Sequence, residues 1–112
     1  MTTFNVTFTG AAGAVATVTQ AAAGAGRRNV CQFFTCAAGV SVAGTPRRII
    51  LRDGATGVGT IVWSGFLIPN LAPWFNGSLF LVGTANTAMT LEFEVNGDAT
   101  EIQSVNLGGI VI

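Results

Sequence analysis

From Gly54 to Leu91 the chain carries no charged residue. A run this apolar raises the question of a membrane span, as does the mean hydropathy of +0.61. It is broken, however, by Gly57, Gly59, Gly65, Pro69, Asn70, Pro73, Asn76 and Gly77. A spanning helix needs about 20 consecutive apolar residues with every backbone group bonded inside the segment. The interruptions exclude that, and the run reads as short buried strands with no membrane partner. Its start belongs to a β-hairpin, Arg48 to Arg52 and Thr60 to Leu67. The Gly54–Gly59 loop of six residues between them is longer than the tight two-residue type. Asp53-Gly54 supplies the backbone reversal.

The same reading extends along the chain. Thr3 to Thr9 alternates Phe4, Val6 and Phe8 against Thr3, Asn5, Thr7 and Thr9, a half-buried strand. Ala14 to Gln20 is a strand of thin side chains, and Gln20 to Gly26 a loop. Arg28 to Ala37 is apolar on both faces, with Val30 and Phe34 on one and Cys31 and Phe33 on the other, as a central strand would be. Ala38 to Pro46 is turn-rich. Pro69 to Gly77 is irregular, with Asn76-Gly77 as a turn, and Ser78 to Val82 is another strand. Ala88 to Val95 alternates Met89, Leu91, Phe93 and Val95 inward with Thr90, Glu92 and Glu94 outward, then reaches a hairpin signal at Asn96-Gly97. Glu101 to Leu107 and Gly109 to Ile112 close the chain. About eight short strands and no convincing helix predict an all-β fold, an antiparallel β-sandwich or jelly roll.

At 112 residues the length is that of one domain, residues 1–112, in which residues 1–13 are an N-terminal strand or an extended arm. Only 9% of residues are charged, against about 25% in an ordinary soluble domain. The surface must therefore be largely Thr, Ser, Asn, Gln, Gly and Ala, and such a surface resists association poorly. Net charge is zero. All five basic residues are Arg, between Arg27 and Arg52, while Glu92, Glu94, Asp98 and Glu101 hold four of the five acids. Met1 to Asn5 lacks the positive start and apolar core of a signal peptide. Cys31 and Cys36, five residues apart on one strand, point to opposite faces unless a bulge intervenes, and read as free buried thiols.

No residue set points to an enzyme. His is absent, which removes Ser-His and Cys-His pairs and the commonest metal ligand. Glu92 and Glu94 share a strand face about 6.5–7 Å apart, a spacing seen in inverting glycosidases, but an exposed row lacks the apolar pocket that would raise one of them. Glu94, Asn96, Asp98 and Glu101 offer hard oxygens without the spacing of a calcium loop. No cofactor is expected. Arg27, Arg28, Arg47 and Arg48 would make a poor nucleic-acid patch in a chain of zero net charge, so no nucleic-acid partner is expected. They suit either solvated strand ends or bidentate contacts to a neighbouring subunit. Trp74 and Phe75 cannot both be buried easily, and one of them suits an interface.

Three stretches carry a family likeness: Ala21 to Arg28, with its Ala/Gly run and basic pair; Ile50 to Gly54 with Thr60 to Trp63; and Asn86 to Phe93 followed by Ser104 to Gly109. From about Gly10 onward the chain resembles small β-sandwich virion proteins of tailed phages, of the capsid decoration or cement type. The resemblance implies a jelly-roll-like fold and a place on the capsid exterior after synthesis in the host cytoplasm. It also implies a major capsid protein as partner and self-association, as a homotrimer. Arg27, Arg28, Arg47, Arg48, Trp74 and Phe75 are the expected subunit or capsid interface. A carbohydrate-binding β-sandwich of a fibre or tail tip is the alternative, with Trp74 and Phe75 stacking on sugars.

Overall fold

The computed structural model describes residues 2–39 and 44–112. Among them are nine strands and no helix: β1 Thr2–Thr9, β2 Thr17–Gln20, β3 Asn29–Ala38, β4 Arg47–Asp53, β5 Thr60–Leu67, β6 Trp74–Gly77, β7 Leu81–Val82, β8 Met89–Phe93 and β9 Gln103–Val111. Part of the turn-rich segment expected over Ala38 to Pro46 lies outside the described residues, as does Met1.

The strands form two antiparallel sheets. Sheet A has the order β1-β9-β3-β6, with β7 also on β3, and sheet B the order β2-β8-β4-β5. The pairing is nested: β1 with β9, β2 with β8, β3 with β6 and β7, β4 with β5. A long hairpin folded at β4–β5 and rolled into two sheets gives this order, which is that of a jelly roll. The β4–β5 turn falls where the sequence puts it, with Gly54 at φ 131°.

One core fills the space between the sheets. Phe34, Cys36, Val105 and Leu107 come from sheet A, and Ile49, Leu51, Leu91 and Phe93 from sheet B. Phe34, Trp63 and Phe75 close one flank with ring centroids 4.8, 5.8 and 5.1 Å apart, each pair adding about 0.5–1.5 kcal/mol beyond its buried area.

Several local expectations are corrected. Trp74 to Gly77 is a strand rather than loop and turn. Gly77 lies opposite Phe34, and the Phe34 ring occupies the space a Cβ would need. The Gly is there for packing, which sequence alone does not separate from turning. The strand expected over Ser78 to Val82 shrinks to Leu81–Val82, and that over Ala14 to Gln20 to Thr17–Gln20. Asn96-Gly97 makes no hairpin, because β8 and β9 lie in different sheets and have no ladder to turn back on. Neither residue has the positive φ that a tight hairpin turn requires. Residues 101–112 form a single strand across the double glycine. A register shift between Cys31 and Phe33 places a bulge at Gln32, so Cys31, Phe34 and Cys36 all reach the core while Phe33 faces out. In β8 every residue is buried, Thr90 and Glu92 included, whereas Val95, Phe8 and Ile61 are exposed. β8 is covered on both faces; Ile61 lies on an edge strand and Phe8 at a strand end.

Candidate interaction surface

The three Arg residues of β4 are all used inside the chain. Arg47 is 8% exposed and Glu101 fully buried. The Arg47 Nε donates to both carboxylate oxygens, at 3.0 and 3.1 Å. Gln103 Nε2 donates to the same carboxylate at 3.0 Å and to the Val95 carbonyl at 3.1 Å, while its Oε1 accepts from the Ala16 N–H at 3.0 Å. Gly97 leaves room for this carboxylate, since a Cβ there would lie 2.5 Å from Glu101 Oε2. Arg48 meets Glu94 at 2.8 Å and Arg52 meets Glu92 at 2.5 Å. The expected segregation of basic and acidic segments is therefore resolved as intrachain pairing between β4 and the chain from β8 to β9.

Glu92 is not part of an exposed row. It is 6% exposed and is gripped by Arg52, by the Thr56 hydroxyl and by the Gly57 N–H at 3.2 Å. It thus pins the Gly54–Gly59 loop to sheet B. Burial pushes its carboxyl up, and the Thr56, Arg52 and Gly57 contacts push it down, with a net fall below its ordinary 4.5. A carboxyl depressed in the folded state stabilises the fold above its unfolded value, and that stabilisation is lost as pH falls through the folded value. The expected result is a loss of stability below about pH 4.5 that is shallower in Glu92→Gln. At neutral pH that variant loses about 1–3 kcal/mol, the cost of weakening hydrogen bonds to a charged group. Urea midpoints measured from pH 3 to 7 check both; parallel pH profiles for the two proteins would contradict the assignment.

The six residues expected at an interface do not come together. Arg27 and Arg28 lie before β3, at the end of the sandwich that holds Gly83 and Asp53; Arg28 Nη1 donates to the Gly83 carbonyl at 2.9 Å. Arg47 and Arg48 begin β4 at the opposite end, about 20 Å away by strand rise. The four Arg side chains form no common patch. Arg47, buried against Glu101, is withdrawn from any interface, and Arg48 is shared with Glu94. Phe75 packs inward on Phe34 and Trp63. Trp74 is 64% exposed and Arg27 is also exposed, so these two remain at the surface.

The acids and thiols offer no chemistry. Glu94 and Glu101 are drawn to different Arg partners, which disperses the oxygen set considered for calcium, and no metal-holding cluster occurs among the described residues. Burial pushes Cys31 up to about 11, partly offset by its hydrogen bond to the Phe33 carbonyl, and pushes Cys36 up to about 12. Neither is a nucleophile at neutral pH.

What the fold does assemble is a face without charge. On the outside of sheet A, Trp74, Ala37, Ser104 and Thr9 align across the strands, and Asn76, Thr35, Asn106 and Thr7 align in the next row. Phe33, Gly108 and Asn5 follow, then Val82, Val30, Ile110 and Thr3. No ionisable side chain occurs in these rows. The paired Arg and Glu residues lie on the outside of sheet B instead. Each strand shows its own Thr/Asn/Ser alternation in sequence, but which strands stand side by side is set by the pairing. A scan against protein-family models finds no match for the chain, and a search of curated proteins finds none.

Proposed function

We propose that this chain is a capsid decoration or cement protein of the tailed-phage type, an adhesive module with no catalytic role. The observation that carries the reading is the division of the jelly roll into two unlike outer faces. Sheet B keeps its charges in internal pairs, and sheet A presents Thr, Asn and Ser around Phe33 and Trp74 with no charge at all. A face of this kind can meet another protein without desolvating a charge, the costliest step in forming a contact. The segment likeness to virion proteins adds support. In this reading the sheet A face lies on the major capsid protein on the shell exterior. Contact stabilises only the associated state, so shells gain resistance to heat and expansion by mass action.

The test is binding to purified phage shells that lack a decoration layer, followed by shell melting. The protein should bind, raise the melting temperature, and bind almost equally at low and high salt because no charges meet. Thr35→Glu together with Thr7→Glu should abolish binding without unfolding the protein, since neither side chain is buried. Absence of binding to any such shell would defeat the proposal.

The exposed Trp74 favours a second reading, a carbohydrate-binding sandwich in which the indole stacks on a sugar. A glycan array that is blank, or identical for Trp74→Ala, would remove it.

A further inference from the structure

Both sheets end on the same flank. β5 is the outer strand of sheet B, and β6 with β7 forms the outer edge of sheet A. The Trp63–Phe75 contact, 5.1 Å between centroids, places the two edges beside each other. Among the described residues β5 pairs only with β4, so its other side presents free N–H and C=O groups. Proteins commonly guard such an edge with charge, proline or bulges. Thr60–Leu67 contains no charge and no proline, and its register shift by Val62 leaves Trp63 to Leu67 regular. Along the flank Ile61, Val62, Phe66, Trp74, Phe80 and Val82 are each between 40% and 69% exposed. With 150–250 Å² for a whole aromatic side chain, they present on the order of 700 Å² of apolar surface. The largest patch on an ordinary monomer is about 300–600 Å², and a stable interface covers about 800 Å² on each partner.

We infer that this flank is buried against a second copy of the chain. The size of the patch matches what one partner contributes to a stable interface. Its lack of charge selects the occupant: when identical surfaces meet, each charge faces its own kind across the symmetry axis, and here there is none to repel. A partner of opposite charge would find nothing to pair with. The inference gives a location to the self-association that the decoration reading includes, yet it is tested without any shell, so the two fail separately.

Sedimentation of the purified protein across a dilution series, with hydrogen exchange on the same samples, is the experiment. The protein should be oligomeric when concentrated, and the β5 amides pointing away from β4 should lose protection on dilution. Phe66→Glu should raise the dissociation constant roughly 30- to 1,000-fold, the range for loss of an aromatic anchor. Val82→Glu, on the other edge, should do the same should Phe66→Glu fail to fold, while Thr7→Glu on the far edge strand should leave assembly unchanged. A monomer at all concentrations, or β5 exchange independent of dilution, or folded flank variants that assemble like the parent, would overturn the inference.

Discussion

Arg47→Met is expected to cost about 3–5 kcal/mol, the usual price of leaving one member of a buried ion pair alone. That is a large share of the 5–15 kcal/mol by which a domain is stable. Glu101 has no exposure, and without the guanidinium only Gln103 Nε2 would still donate to its carboxylate. The damage would spread, because Gln103 also holds Ala16 before β2 and Val95 after β8. Arg47→Met with Glu101→Leu should recover most of the loss, since apolar replacement of a whole buried pair is often neutral or better. Arg48→Ala, which breaks a pair whose side chains are 33% and 47% exposed, should cost less than about 1 kcal/mol. Denaturant midpoints at constant slope would measure all three. A value for Arg47→Met near that of Arg48→Ala would show that the pair is not confined from water as described.

A comparably large effect is expected from one methyl group. Gly108 and Gly109 sit together in β9, and both are covered. A Cβ on Gly109 would run into the Val30 carbonyl of β3, which is backbone and cannot move without parting the two central strands of sheet A. A Cβ on Gly108 would meet only the ring of Phe33, a side chain that is 40% exposed and free to swing outward. Gly109→Ala should therefore destabilise by more than about 3 kcal/mol, at or beyond the upper end of overpacking costs, and Gly108→Ala by about 1 kcal/mol. Thermal unfolding of the two variants gives the comparison, and equal losses would contradict the contacts assigned. Phe33 displaced by Gly108→Ala would also disturb the sheet A face, so shell binding should weaken in that variant while stability is largely kept.

Much of the candidate surface was legible only in part from the residues. The exposed Trp74 beside an inward Phe75 follows from strand alternation once the segment is seen as a strand, but its prolines and Asn76-Gly77 read as a loop. Arg47 and Arg48 look equivalent in sequence. On a strand they must face opposite ways, and only one of those ways leads to a buried Glu. Glu92 and Glu94 look like an outward pair, yet the loop after β4 folds over the first and leaves the second in water.

By itself the sequence determined the all-β class, the β4–β5 hairpin with its six-residue loop, the shortage of charge, and the absence of His chemistry. These follow from local rules: side chains alternate every two residues, and turns need particular backbone angles. The tertiary structure alone decided that β1 lies against β9, that a bulge at Gln32 turns both cysteines inward, and that every β4 Arg finds its acid within the chain. It also decided that the uncharged rows meet on one face. Partners so far apart in the chain are chosen by which pairing buries the most apolar surface and leaves the fewest polar groups unsatisfied. That is a property of the whole packed sandwich and of no single segment.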